Sequence, residues 1–580
     1  MTAQVDSIAR ARSPEAWFGL SSWPRVSPLV LILIAVLLFA VVPPVVFLVN
    51  ASLHETLPDG APGAFTWRHY QQLLSGRFFL PSLFNTLVYA CGSAVIAIFI
   101  GTAQALIVER TNTPGRKLAF LAAIISLGVP HVLYVVAWLL LLGRAGPVND
   151  VIEHLFQIPQ ALDVYSLWGM MLIEGVGFVP LTFLLMSSVL RSTDASFEEA
   201  AMMSGASPLR AFGSVTLRMS LPALCGLTLL IFVKAFESFE VPTLVGLAGN
   251  VSVITTMIYQ SSRRVGSPDY GEAGASSICL VLILLGLMLW QNSLSRHAQR
   301  YHTITGKGFR PRVIDLGGWR YLASALLLLL FIIVTVAPVS ILAFTSFQPF
   351  YGGVSIEAFS RVSLENYHAL FGPGSFRDSI VNTLVLGAMT ATLVVPFTAL
   401  CAWLVVRRSP GAWLIDQIAA VPLVFPAIIL SVAFLDIFVN MSLPLYGTLL
   451  SIILASSVRY LPYGMRYAFA GVMQIHSDLE EGASIAGANK TKVFLRILAP
   501  LLTATLVSSW LLIFLLSVQA VSLPLLLVGP GSEIMSVTLF ELWQNGQVTE
   551  LAAMGMLWIG LMTLVSVFFH LLTRRHQLNM

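Results

Sequence analysis

The sequence predicts an all-α membrane protein of twelve transmembrane helices, arranged as two parallel six-helix repeats about a pseudo-twofold axis normal to the membrane. Three observations lead there. Of 580 residues, 57% are hydrophobic and only 10% charged, whereas a soluble domain carries about 25% charged residues. The apolar residues fall in runs of roughly 20, the length at which a helix crosses about 30 Å of hydrocarbon. One half of the chain also repeats the other at a nearly constant offset.

The runs lie near 28–50, 82–108, 118–143, 166–190, 221–245 and 271–293, then near 319–347, 379–406, 413–440, 447–472, 501–528 and 549–572. The first is longer than the apolar core of a signal peptide and lacks a convincing cleavage site, so it is expected to remain as a span. Basic residues orient the chain. With residues 1–27 cytoplasmic and sides alternating thereafter, 22 of the 32 Lys and Arg are cytoplasmic and seven lie opposite. Both termini are then cytoplasmic. Cys91, Cys225, Cys279 and Cys401 stand singly in apolar runs, without ligand spacing, and read as small buried hydrophobes. The ten histidines form no cluster, and His131, after Pro130 in mid-span, reads as a packed helix residue.

The repeat is explicit. Glu199 and Glu481, Gly205 and Gly487, Pro180 and Pro462, "LLIF" at 229–232 and 511–514, and Pro242 and Pro524 all keep an offset of 282. Upstream, Tyr70 and Tyr367, and "NTLV" at 85–88 and 382–385, keep 297, while Pro130 and Pro426 keep 296. The first half therefore holds 14 extra residues between Pro130 and Pro180, placed in the stretch beginning at Gly146. Each half has six spans, so equivalent spans point the same way, as in a parallel repeat. The organisation is a first domain at 1–293, a basic cytoplasmic linker at 294–318 and a second domain at 319–580.

Two polar inserts interrupt the grease, "EEAAMMSGASPLR" at 198–210 and "EEGASIAGANKTK" at 480–492. Ser196 and Asp478 each precede a glutamate by three residues, the pattern of a helix N-cap with a capping box. Gly205 and Gly487 allow a sharp turn. Ser207 and Asn489 are again cap formers, with Pro208 at a favoured first helical position. Each insert reads as helix, glycine turn, helix.

These inserts resemble the EAA loop of binding-protein-dependent ABC importer permeases: Glu-Ala-Ala, three residues, Gly, nine residues, then Ile-x-Leu-Pro. The first copy has Glu199, Ala200, Ala201 and Gly205, followed by Val215-Thr216-Leu217-Arg218. The second has Glu481, Gly482, Ala483 and Gly487, followed by Ile497-Leu498-Ala499-Pro500. Gly482 stands for the first alanine, Ala499 for the leucine, and Val215 and Arg218 for the isoleucine and proline. The resemblance covers nearly the whole chain. It implies that these eight residues couple the spans to two copies of a cytoplasmic ABC ATPase, and that a periplasmic or lipid-anchored solute-binding protein docks opposite. It implies a multi-pass protein of the bacterial inner membrane. "GASIAGANKT" at 482–491 has Lys490 two residues late for a phosphate-binding loop and no preceding strand. The chain is thus expected to be non-catalytic and to bind no cofactor, with ATP and magnesium used by the partner ATPase. The rival class is a major-facilitator secondary transporter, whose Gly-x3-Asp-Arg-x-Gly-Arg-Arg signature "ERTNTPGRK" at 109–117 matches only loosely, and which leaves both inserts unexplained.

Intramembrane charge is the pointer to solute. Lys234, Glu237 and Glu240 are spaced to neighbour one another along a helix, and their second-half equivalents are Leu516, Gln519 and Ser522. Lys234, Glu237, Glu240 and Gln519 are candidate pathway residues; the other reading is a self-satisfied Lys–Glu pair near the outer membrane edge. Arg459 and Arg466 are one-sided too and suit helix packing or an inner-gate ion pair. Among importers the fused form most resembles iron(III) permeases, through "ERTNTPGRK", "SVRYLPYGMRYAF" and "VPTLVGLAGNVSVITTMIY". Thiamine, polyamine, phosphonate, sulfate and phosphorylated small molecules remain as alternatives. No metal site is expected, since iron would meet carboxylate, hydroxyl or carrier oxygens.

Overall fold

The computed structural model describes residues 26–578 apart from 58–61, 77, 192–194, 265–268, 299–312, 372–374 and 441–443. Its elements are helices, save one antiparallel hairpin of β1 (His54–Thr56) and β2 (Pro62–Phe65). The first half contains α1 (Pro28–Leu53), α2 (Phe79–Arg110), α3 (Arg116–Gly128), α4 (His131–Leu142), α5 (Pro147–Phe156), α6 (Leu167–Arg191), α7 (Ala195–Met203), α8 (Pro208–Ala211), α9 (Leu217–Phe236), α10 (Ile254–Ser262) and α11 (Tyr270–Ala298). The second contains α12 (Trp319–Ser346), α13 (Ser375–Val406), α14 (Ala412–Ala420), α15 (Ala427–Asn440), α16 (Leu449–Met473), α17 (Asp478–Ile485), α18 (Lys490–Val493), α19 (Thr503–Gln519), α20 (Met535–Gln544) and α21 (Val548–Leu578).

Among the described residues, nine helices are long and apolar enough to cross a membrane, or eleven spans if each of two bent pairs counts as one. The tenth expected run is the 25-residue α16, which carries Arg459 and Arg466 and is not among the nine. Several expected spans are broken rather than straight. The third divides at Pro130 into α3 and α4. The ninth turns through 102° near Pro426, and the eleventh through 76° between Leu501 and Thr503. A proline lacks the amide that would continue the ladder, and its ring crowds the preceding turn. The fifth span stops at Phe236, so Glu237 and Glu240 do not continue one helix with Lys234.

The two halves repeat each other in contact as well as in sequence. Helix α1 packs on α11 of its own half and on α14 and α15 of the other, while α12 packs on α21 and reaches across to α3 and α4. "NTLV" has a structural job in both copies. Thr86 Oγ1 accepts from the Ile254 amide (3.0 Å) and Thr383 Oγ1 from the Met535 amide (2.8 Å), so each threonine caps the short helix after the broken fifth or eleventh span. The preceding Asn85 donates to the Ser252 carbonyl and Asn382 to the Glu533 carbonyl.

The most extensively packed helix pairs are α2 with α6 and α13 with α16. A Cβ on Gly101 would lie 2.6 Å from the Thr182 side chain, and one on Gly464 2.6 Å from Thr398. Gly101 is equivalent to Thr398 and Thr182 to Gly464, so the crossing keeps one glycine and one threonine but exchanges which helix bears each. Small residues let membrane helices approach this closely.

The extra residues of the first half form α5 and a loop pinned by buried Asn149. Its amide donates to the Leu142, Gly143 and Leu162 carbonyls, and its oxygen accepts from the Leu162 amide. The linker lies partly outside the described residues; 294–298 continue α11. Ile314 pairs with the end of α2 through the Arg110 carbonyl and the Asn112 amide. The amide of Gly317, then the side chain of Asn112, hold the exposed Asp315 carboxyl below its usual range. Of the cysteines only Cys401 is buried; Cys91 and Cys225 are exposed on their helices, contrary to expectation.

Gly101→Thr is expected to destabilise the chain by about 1–3 kcal/mol, the usual cost of overpacking. Adding Thr182→Gly should restore most of it, because the second half already uses that arrangement. Thermal unfolding of the purified chain in detergent checks this: a double variant no more stable than the single one refutes the exchange.

Candidate functional site

The two polar inserts fold as helix, glycine turn, helix. Gly205 and Gly487 have φ of 89° and 85°, where L side chains are strained. Ser207 accepts from the Arg210 amide to cap α8, and Asn489 from the Lys492 amide (2.9 Å) to cap α18. The first caps differ from expectation. Helix α7 already begins at Ala195, so Ser196 lies inside it. Helix α17 begins at Asp478, after Ser477, which makes no side-chain cap; Asp478 instead faces His476 Nδ1 at 2.9 Å. The earlier start turns a different glutamate inward.

That glutamate is Glu198 in the first insert and Glu480 in the second, again 282 apart. Arg110 Nη1 stands 3.2 Å from Glu198 Oε1, and both side chains are buried. Arg407 donates through Nε (2.9 Å) and Nη2 (2.7 Å) to Glu480 Oε1, and Trp403 Nε1 donates to Glu480 Oε2 (2.8 Å). The neighbouring Glu199 and Glu481 are exposed, as are Ala200, Gly205, Gly482 and Gly487, while Ala201 and Ala483 are half-buried. The sequence-predicted residues thus form the outer face of each knob. That face also carries Met203 and Ile485, equivalent residues 90% and 89% exposed, and the equivalent pair Phe197 and Leu479 is exposed on the same helices. Sequence reasoning passed over these four. The signal was available: large apolar residues held at the repeat offset inside otherwise polar inserts.

The second constellation lies where the halves meet. Lys234 Nζ is 2.5 Å from Glu237 Oε1, and Arg459 Nη2 of the second half is 3.6 Å from Glu237 Oε2. Arg459 Nη1 also donates to the Pro422 (3.1 Å) and Phe425 (2.6 Å) carbonyls, freed where the ninth span breaks. Glu240 accepts from Ser522 Oγ (2.9 Å), its own equivalent in the other half. His131 lies between two carboxylates, Nε2 3.4 Å from Glu174 and Nδ1 3.8 Å from Glu240.

Two readings change. The Lys–Glu pair is not self-satisfied: Glu237 also meets Arg459 of the second half. Arg459 is indeed an ion-pair residue. His131 is not merely packed, since it opens α4 directly after the break and faces two acids. Glu174 was overlooked, although a lone glutamate in "WGMMLIEGVGF" was a signal. Gln519 ends α19, half-buried, and Arg466 is exposed. No group of three or more His, Cys, Asp or Glu among the described residues could hold a metal ion. Away from the knobs, a cavity of about 450 Å³ opens between the halves, with Arg144 and Tyr165 on one side and Tyr351 and Trp543 on the other.

Comparison with known proteins agrees with the repeat. The family described as "Binding-protein-dependent transport system inner membrane component" matches residues 97–346 and 384–577. The ferric transport system permease protein FbpB of Actinobacillus pleuropneumoniae is 24% identical over 503 residues, 86% of this chain and 72% of its own. A Haemophilus influenzae protein, FbpB 1, assigned to ferric transport, is 26% identical over 482 residues, 82% of this chain and 74% of its own. A Salmonella typhimurium permease assigned to 2-aminoethylphosphonate transport, PhnU, is 29% identical over 244 residues, 42% of this chain and 84% of its own.

Arg459→Met should cost about 3–5 kcal/mol, as breaking a buried ion pair does, because it also strands the Pro422 and Phe425 carbonyls. Glu237→Gln in the same chain should recover nothing, since it takes the acid from Lys234 while those carbonyls stay unpaired. Thermal unfolding measures both; an unchanged midpoint in the single variant contradicts the assignment.

Proposed function

Because the chain belongs to the family of binding-protein-dependent transport system inner membrane components, we propose that it is the fused, two-domain permease of a type I ABC importer. One chain supplies both transmembrane halves. Two copies of a separate ATPase, using ATP and magnesium, bind below, and a solute-binding protein delivers from the opposite side. The observation that carries this is the pair of cytoplasmic knobs. They present Glu199 with Met203, and Glu481 with Ile485, at equivalent positions, as docking to two identical grooves requires. Exposed apolar side chains on a rigid projection are interface anchors. Both termini are cytoplasmic in this reading.

Twelve spans form two six-helix bundles about an axis through the membrane. Support comes from the Ser522–Glu240 hydrogen bond, because equivalent residues touch only near such an axis, and from the reciprocal reach of α1 and α12. The pathway follows that axis. Glu237–Arg459 and Glu240–Ser522 hold the halves together at mid-height, and separating the halves breaks both links. Lys234, Glu237 and Glu240 then line the opening, with Gln519 beside them.

Iron(III) is the solute favoured here. Ferric relatives align with more than four-fifths of the chain, hence with both halves. A phosphonate is the second reading, supported by the higher identity of a relative matching 42% of the chain. A receptor co-purified with the chain, assayed for bound ferric iron and for 2-aminoethylphosphonate, separates them.

Gly205→Trp together with Gly487→Trp should abolish ATPase association while leaving membrane insertion intact. Neither glycine has any atom within 4 Å of its Cβ position, so the added rings project outward into the docking face. Co-purification from the native membrane is the measurement. The unaltered chain should bring down two ATPase copies, and full ATP-driven uptake by the double variant would overturn the coupling assignment.

A further inference from the structure

Each knob is tied to the outer side of the protein by one long helix. We propose that α2 and α13 are transmission rods, with Arg110 and Arg407 as the positioning residues that load them. The proposal rests on the knobs being the ATPase-docking elements.

The lower coupling is electrostatic because the knob has little else to hold it. Helix α17 has no fully buried residue. Its hold on the spans runs through Glu480, whose two oxygens take donors from Arg407 and Trp403. Arg407 Nη2 also binds the Ile475 carbonyl (2.9 Å), just before the knob. In the first half Arg110 is 2% and Glu198 4% exposed. A second layer braces that corner: Glu109 binds Arg191 (2.8 Å) and Arg116 (2.7 Å), and Arg191 lies 4.8 Å over the Phe120 ring. Val406 and Met473 stand where the second half would need Glu109 and Arg191, so only the Glu–Arg tie is common to both halves.

From there the rod is continuous. Helices α2 and α13 have 32 residues each, about 48 Å of helix, and α13 runs on through Pro396. Each carries its NTLV pair near the far end. Asn85 and Thr86 hold the Ser252 carbonyl and Ile254 amide; Asn382 and Thr383 hold the Glu533 carbonyl and Met535 amide. The helices so held reach back to the broken spans. Thr255 Oγ1 donates to the Ser238 carbonyl (2.8 Å), beside Glu237, and Ser536 Oγ donates to the Ala520 carbonyl (2.6 Å), beside Gln519. The same route therefore runs in both halves from knob to rod, outer helix and broken span. A knob drawn inward must carry the outer helices and the residues flanking Glu237 and Gln519 with it.

The test uses the full chain with its ATPase and receptor in proteoliposomes, reading ATPase association, receptor-stimulated hydrolysis and uptake separately. Arg110→Met with Arg407→Met should keep the ATPase bound and hydrolysing while uptake per ATP falls by about 5- to 150-fold, the range of ordinary allosteric coupling. Arg407→Glu with Glu480→Arg in the Arg110 chain should restore part of the loss relative to Arg407→Glu alone. Should the arginine variants fail to fold, Thr86→Val with Thr383→Val tests the far end with nearly unchanged volume and should uncouple in the same way. Unchanged uptake per ATP in a folded variant of either kind overturns the proposal. Absence of any ATPase on the unaltered chain overturns the functional reading itself, and the rods with it.

Discussion

A helix that breaks inside hydrocarbon frees amides and carbonyls that no water reaches, and each must find a partner within the protein. That constraint organises this molecule. The ninth span bends near Pro426, and Arg459 enters to take the Pro422 and Phe425 carbonyls. At the end of the eleventh span, Tyr460 takes the Leu516 carbonyl and Ser431 the Leu523 carbonyl. Thr86 and Thr383 satisfy the first amides of the short helices that begin at Ile254 and Met535. A guanidinium brought in to satisfy backbone needs a counter-charge, and Glu237 of the other half provides it. The central charge cluster follows from broken backbone as much as from any demand of a solute.

The two halves meet this constraint with different residues. In the first, His131 stands just after Pro130, and Gly177 lies opposite, where a Cβ would meet the Tyr134 ring at 3.1 Å. In the second, the equivalents are Ala427 and Arg459: the small residue stands at the break and the nitrogen-bearing side chain on the facing helix. The same exchange occurs between Gly101 with Thr182 and Thr398 with Gly464. In each case one helix supplies the small residue and the other the polar one, and the two helices trade these parts between the halves. The carboxylates, by contrast, belong to one half. Glu237 and Glu240 serve Arg459, Ser522 and His131 from a single segment, so the charged links of the interface come from one half while the helix packing comes from both.

Much of the site was legible in the sequence because it rests on local chemistry. Gly205 and Gly487 had to turn, since few other residues adopt φ near 85–89°, and Ser207 and Asn489 had to cap what followed. The adjacent carboxylates were harder. Glu198 and Glu199 look alike in the chain, and a helix start one or two residues earlier decided which turned inward to an arginine. Met203 and Ile485 were hidden by the assumption that apolar residues in this chain are buried. His131 and Glu174 lie 43 positions apart, and no periodicity joins residues on different helices.

Composition, run length and the repeat by themselves determined a helical membrane protein in two similar halves with two polar knobs. These follow from the thickness of hydrocarbon and from turn and cap chemistry, which act over a few residues at a time. Tertiary structure decided where spans break, which glutamate anchors and which is presented, and that charges from both halves form one cluster. Those outcomes depend on the partner each broken carbonyl or buried charge meets, and packing sets that partner across separations of up to 282 residues.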